Sequence, residues 1–179
     1  SLESVNHGFQ GAVSVVQAGS VNLTNAQALI LSGDIAGATT LTSQAGLTLG
    51  TTTTGGTLTL SSVGTALGEV TVGGNLALSS TGAVTSSNIL SVAGTTNFNA
   101  LGQSVTVANT ENDFAGDVTV TAAASVTLVD KNALNVSGTI ADALTLTTGS
   151  KLTLGQTTVG NATTSAGGGN LTTDGDIVQ

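Results

Sequence analysis

Residues 114–158 read FAGDVTVTAAASVTLVDKNALNVSGTIADALTLTTGSKLTLGQTT, and residues 9–53 read FQGAVSVVQAGSVNLTNAQALILSGDIAGATTLTSQAGLTLGTTT. The two stretches align without a gap at an offset of 105, with 24 of 45 positions identical. Identity on that scale marks an internal repeat, and a repeat is the first thing to settle about a fold. The shared frame runs F-x-G-x-V-x-V, S-V-x-L, A-L, S-G-x-I-A-x-A, T-L-T and L-T-L-G-x-T-T. In the first copy it holds Phe9, Gly11, Val13, Val15, Ser20, Val21, Leu23, Ala28, Leu29, Ser32, Gly33, Ile35, Leu41, Leu47, Leu49 and Gly50, and in the second it runs from Phe114 through Gly155. The kept positions are mostly apolar or glycine.

Within each copy the apolar residues come in pairs one residue apart: Val118/Val120, Val126/Leu128, Leu134/Val136, Leu144/Leu146 and Leu152/Leu154. That spacing is the period of a strand with one buried face. Thr, Ser and Asn fill the alternate positions, and Gly, Asn, Asp and Ala fill the gaps between strands. Frequent Gly, Thr and Val argue against helix, and no 3.6-residue stripe survives more than a turn or two. Strands of three or four residues, starting about every eight to ten, are too short for most sandwiches or barrels. They suit an all-β parallel β-helix, a β-solenoid in which each strand pairs with its counterpart one coil above and the inward side chains stack into a narrow core. If the offset of 105 holds five or six whole coils, each has about 18–21 residues and the chain holds roughly eight to ten. Phe9 and Phe114 are then expected at matching places five or six turns apart.

The composition agrees with this architecture. Only 7% of the 179 residues are charged, 39% are apolar, and Phe9, Phe98 and Phe114 are the only aromatics. Disordered chains combine low hydrophobicity with high charge, so this chain is expected to fold. Small aliphatic residues fit a narrow interior, outward Thr favours an extended backbone, and the absence of proline suits strands paired on both sides. No composition shift marks a boundary, and residues 1–179 read as one solenoid segment, with Gly167, Gly168 and Gly169 as a loose corner.

Charge and residue usage exclude several functions. The net charge is −8, from ten carboxylates against Lys131 and Lys151, with no arginine. Nucleic-acid binding and attraction to anionic membranes both need clustered cations, so neither is expected. Without cysteine there is no disulfide, thiolate metal site or thiol chemistry. No apolar run approaches the ~20 residues of a helical membrane span, and the first residues do not resemble a signal peptide.

Catalysis by a solenoid that cleaves acidic polysaccharides would need clustered carboxylates beside cationic groups. Glu111, Asp113 and Asp117 are the densest carboxylates. They align with Asn6, Gly8 and Ala12 of the first copy, which favours a corner and a strand end over a catalytic cluster. His7, the sole histidine, aligns with Asn112 and reads as a solvated turn residue, which leaves no base for a serine nucleophile. Asp174-Gly175-Asp176 lacks the spaced oxygen ligands of a calcium loop and reads as a turn. No catalytic, cofactor or metal residue is assigned, and no enzyme activity is expected. Asn22, Asn135, Asn161 and Asn170 each begin an Asn-x-Ser/Thr sequon.

The stretches Phe98-x-x-x-Gly102-x-Ser104-Val105-Thr106-Val107, Asn112-Asp113-Phe114-x-Gly116-x-Val118-x-Val120, Asn132-Ala133-Leu134 and Gly168-Gly169-Asn170-Leu171 resemble the degenerate repeats of filamentous-haemagglutinin-like large exoproteins. The resemblance covers nearly the whole chain. It implies a right-handed parallel β-helix, two-partner secretion through an outer-membrane pore, and a place on the surface of, or outside, a Gram-negative bacterium. There it implies the rod of an adhesin or virulence exoprotein, whose tip meets a host or neighbouring-cell receptor. The family's secretion domain carries an Asn-Pro-Asn-Gly-Ile type of motif, and a chain without proline is not that domain. What the resemblance leaves is repeat shaft.

Two other readings compete. Ice-binding solenoids carry paired Thr columns, and Thr51–Thr54, Thr57-x-Thr59 and Thr145-x-Thr147 invite comparison. Here Thr is spread over all strands and alternates with Ser, Asn and Ala. A glycan-binding surface would commonly stack sugars on Trp or Tyr, and neither occurs. A segment cut from a longer rod exposes strand edges at its ends, so end-to-end self-association is expected.

Overall fold

Alternating side chains in the sequence become alternating inward and outward side chains in a single β-solenoid of about eight turns. The structure, a computed structural model, describes residues 2–166, 171–173 and 177–178, with side chains over residues 8–160. Regular structure among the described residues is all strand, without helix. Among the described residues every strand pairing is parallel and joins one coil to the next.

Two long ladders run along the rod. One steps through Val21, Thr39, Leu58, Leu76, Thr96, Val118, Val136 and Leu154. The other steps through Val13, Leu31, Leu49, Leu67, Ser86, Val107, Leu128 and Leu146. Along the first, successive coils take 18, 19, 18, 20, 22, 18 and 18 residues. The coil of 22 exceeds the expected range because residues 108–112 form an extra turn between Val107 and Asp113.

The interior follows the period-two pattern. Val118, Val120, Val126, Leu128, Leu134, Val136, Leu144, Leu146, Leu152 and Leu154 are all buried. Removing such columns from water is the main favourable contribution to the fold. Inward positions are not uniformly aliphatic, however. Thr39, Thr52, Thr54, Thr65, Thr96 and Thr157 are buried too, where Thr supplies the branched shape of Val. Most of their hydroxyls are satisfied locally: Thr54 Oγ1 donates to the Gly37 carbonyl at 2.7 Å, and Ser62 Oγ and Thr65 Oγ1 bond at 2.7 Å.

Strand length departs from the expectation of three or four residues. Val70–Val72 and Leu90–Val92 are that short, but Leu134–Thr148 and Leu152–Ala166 each span 15 residues. The long strands bend around corners at register shifts, one between Val136 and Gly138. Gly138 and its repeat mate Gly33 have φ of 141° and 145°, which L side chains rarely adopt.

The repeat does not comprise whole coils, and the expected match of Phe9 with Phe114 is corrected accordingly. From Val13 the chain makes five coils to reach Val107, and Val118 lies half a coil further, on the other ladder. The offset of 105 is therefore five and a half turns. Phe9 precedes the strand that enters the Val13 ladder, whereas Phe114 precedes the strand that enters the Val21 ladder. Their local surroundings agree all the same: Phe9 N–H donates to Asn25 Oδ1 at 2.8 Å, and Phe114 N–H donates to Asp130 Oδ1 at 3.1 Å, each acceptor 16 residues on. Both faces demand the same inward V-x-V or L-x-L strand, so one motif serves on either side.

Candidate functional site

The half-turn offset shows most clearly at the two corners that join the ladders. At one, a polar column of Asn25, Ser43, Ser62 and Ser80 gives way to Ala100, Ala123, Ile140 and Val159. At the other, Ile35, Thr54, Val72, Val92 and Phe114 give way to Asp130 and Thr148. The polar corner thus changes sides between Ser80 and Asn112.

The polar corner residues are buried, and all but Ser62, which bonds the Thr65 hydroxyl, bond the backbone that turns around them. Asn25 Nδ2 donates to the carbonyls of Phe9, Gln27 and Ala28 at 3.1, 3.0 and 3.0 Å. Ser43 Oγ donates to the carbonyls of Gln27 and Gly46 at 2.9 and 3.0 Å. Asn112 accepts from Leu90 N–H and donates to the carbonyls of Val107 and Val129. Thr148 Oγ1 donates to the Ser150 carbonyl at 2.7 Å. Buried backbone groups at a bend have no strand partner, and these side chains supply one. The sequence pattern places Ser at outward strand positions and Asn either there or in the gaps between strands, so it does not mark these residues as buried. The available signal was that Asn25 and Asp130 align across the repeat.

The most charged part of the described surface lies at this second corner. Lys131 Nζ pairs with Asp113 Oδ2 at 2.9 Å, and Asn132 Nδ2 donates to Asp113 Oδ1 at 3.1 Å. The hydrogen bond from Lys131 to Asp113 holds the lysine above its ordinary pKa, with Glu111 and Asp130 adding to the field. Asp117 instead accepts from Asn135 at 2.8 Å, and Glu111 is exposed on the extra turn. Asp113 and Asp117 therefore have separate partners, while Glu111 adds only to the field at Lys131, and the three do not group as a metal-holding cluster. Asp130, only 1% exposed, has an Oδ2 without a hydrogen-bond partner. Burial raises its pKa, aided by Asp113 and opposed by the backbone amides of Phe114 and Asn132 and by Lys131.

Other candidates fall elsewhere. The backbone of His7 ends the strand Leu2–His7 opposite Asn25, so it is a strand end and not the expected turn; its side chain lies outside the described residues. The three glycines 167–169, Asp174-Gly175-Asp176 and Asn170, the first residue of its sequon, lie outside them as well, as does the Asn161 side chain. Asn22 and Asn135 are exposed and point outward from strands. Among the described residues no three His, Cys, Asp or Glu side chains group to hold a metal ion, and no helix is long and apolar enough to cross a membrane. A shallow hollow of about 390 Å³ on the Val13-ladder face is lined by Ala66, Leu67, Thr85, Ser86, Thr106 and Asn109, none of them titratable.

Residues 55–121 match a family described as repeats of unknown function (DUF5649). The match extends from just before the strand Leu58–Ser62 to just after Val120, across the coils in which the polar corner changes sides. No curated protein and no solved structure matches the chain. What sequence and structure establish together is a repeat protein built as a β-solenoid.

Proposed function

We propose that this chain is a length of shaft from a secreted surface adhesin or exoprotein of a Gram-negative bacterium, carrying a binding or toxic tip away from the cell. On this reading it is not an enzyme, and an outer-membrane secretion pore and a cell-surface receptor engage other parts of the full-length protein. The observation that carries the reading is the pair of ladders from Val21 to Leu154 and from Val13 to Leu146, which hold their inward register through every coil. Each coil contributes about 4.8 Å of length and repeats the contacts of the coil before it, so added sequence becomes added reach. Such a chain also suits export as an unfolded thread, because each emerging coil finds a template in the one already formed and no cysteine has to be kept reduced.

The test is a series carrying several tandem copies of the 105-residue unit between a two-partner secretion domain and a terminal epitope. Each copy adds five and a half coils, about 26 Å. Secretion that depends on the partner pore, with rods lengthening in proportion to copy number, is the expected result. Particles of constant length, or cell binding that resides in the repeated unit itself, would overturn the proposal.

The alternative, an ice- or glycan-binding solenoid, draws on one feature. Thr85, Thr106, Thr127 and Thr145 stand on successive coils as a single outward column. That column is not paired along its length: beside Thr145 the next outward position is Thr147, but beside Thr127 it is Val129. A thermal-hysteresis measurement on the isolated segment separates ice binding from a passive shaft.

A further inference from the structure

We propose that Asp130 is a neutral carboxylic acid in the folded shaft, its Oδ2–H donating to the backbone of its own corner, and that loss of this proton to solvent loosens the coil. The argument starts from its repeat mate. Asn25 and Asp130 occupy the same place in the alignment and do the same thing with one oxygen, accepting from Phe9 N–H and from Phe114 N–H. Asn25 uses its other atom as a donor to three carbonyls, those of Phe9, Gln27 and Ala28. The corresponding carbonyls in the second copy belong to Phe114, Asn132 and Ala133.

Other polar corners repeat the demand for a donor. Ser43 donates to the carbonyl three residues on, and Ser86 and Thr148 donate to the carbonyl two residues on. Thr148 is moreover the rung directly paired with Asp130. An ionised carboxylate has no donor and would turn a bare anionic oxygen toward carbonyl oxygens from a buried position. A carboxylic acid supplies the missing O–H, and the Oδ2 left without a partner is the atom that would carry it.

The charged groups around Asp130 are Asp113 on the coil below, Lys131 beside it and Glu111 on the neighbouring turn. Asn112, Phe114, Asn132 and Thr148 are neutral. Lys131 is bound to Asp113 at 2.9 Å, so much of its charge is already answered. Burial is the largest influence and raises the Asp130 pKa. A folded pKa above the unfolded value contributes stability that is fully present below the unfolded pKa and is lost as pH rises through the folded one. The shaft therefore weakens at this corner toward higher pH and tightens toward acid.

The experiment titrates the Asp130 carboxyl carbon by NMR in the wild-type segment and follows urea unfolding from acid to slightly alkaline pH for wild type, Asp130→Asn and Asn25→Asp. Asp130 is expected to inflect above the ordinary carboxylate range, with wild-type stability falling through that inflection. Asp130→Asn, which restores the donor found at position 25, should remove the fall and exceed wild type at high pH. Asn25→Asp should acquire the same fall. Each unit of raised pKa corresponds to about a tenfold loss in the folding equilibrium constant once Asp130 is ionised. An inflection at or below the ordinary range, or Asp130→Asn less stable than wild type at neutral pH, overturns the proposal. So does a stabilisation by millimolar calcium that Asp130→Asn abolishes, since a cation would then occupy the place assigned to the proton.

Discussion

Val13 and Val118 stand at the same place in an ungapped repeat, yet they lie on different ladders of the solenoid, Val13 paired to Leu31 and Val118 to Thr96 and Val136. A half-turn shift of this kind is tolerated because the two ladders impose one requirement, a short strand with two inward aliphatic residues. Its cost falls on the corners, whose identity must switch with it. The switch occupies the coils of 20 and 22 residues, the longest along the Val21 ladder, where Ala100 ends the first polar column and Asn112 begins the second.

Removal of one whole coil is expected to leave a folded, shorter rod. Deleting residues 29–46 joins Ala28 to Leu47, and Leu47 is the ladder partner of Leu29, so it enters the vacated rung. Far-UV circular dichroism should keep its β shape, and the urea m-value should fall by about one eighth, in step with the surface lost. Collapse to an unfolded chain would mean that stability depends on one global core and not on neighbouring coils.

Gly138 and Gly64 should respond in opposite ways to the same added methyl group. At Gly138, with φ of 141°, a Cβ would run into the Val120 carbonyl oxygen of the coil below. Gly138→Ala is expected to cost about 2–4 kcal/mol through strain and displacement of a ladder strand. At Gly64 the nearest atom to a new Cβ is the Ala83 carbonyl oxygen at 3.6 Å, an ordinary contact. Gly64→Ala should change stability by about 0.5 kcal/mol or less. Similar urea midpoints for the two variants would contradict the corner geometry.

Asn25 is expected to matter far beyond what a surface asparagine would. Replacing it with Ala leaves Phe9 N–H and the carbonyls of Phe9, Gln27 and Ala28 without their side-chain partner in a buried corner. The loss should be about 1–3 kcal/mol in thermal or urea unfolding. Asn25→Ser, which keeps a donor of the kind used at Ser43, should recover part of it.

Val126, Thr127 and Leu128 show what was legible in the sequence: a period of two tells inward from outward without knowledge of any partner strand, and the fold class follows from its repetition. Thr39 and Thr65 were not legible as inward residues, because Thr satisfies both faces of a strand and its hydroxyl finds a partner only in the assembled coil. Asn25, Asn112 and Asp130 looked like turn residues because a buried corner and an exposed one use the same polar side chains; only stacking decides which is buried. The half-turn offset was hidden for a related reason, since pairing across coils involves residues 18 to 22 apart and the local pattern carries no label for the face it occupies.

The sharpest test of the inward and outward assignment compares two adjacent residues. Leu128 is fully buried between Val107 below and Leu146 above, while Thr127 points outward between Thr106 and Thr145. Leu128→Asp places a carboxylate against the aliphatic side chains of Val107 and Leu146, with no cation or donor on those neighbouring rungs, so the folded state must either bury the charge or take up a proton. The expected cost is several kcal/mol at neutral pH, shrinking toward acid as the introduced carboxyl is protonated. Thr127→Asp keeps its carboxylate in water and should cost about 0.5 kcal/mol or less. Because each coil leans chiefly on its two neighbours, the damage from Leu128→Asp should also be local. Hydrogen exchange should accelerate most in the coils of Val107, Leu128 and Leu146 and least around Leu31 and Leu49. Equal urea midpoints for the two variants, or exchange accelerated uniformly along the rod, would refute the stacked arrangement.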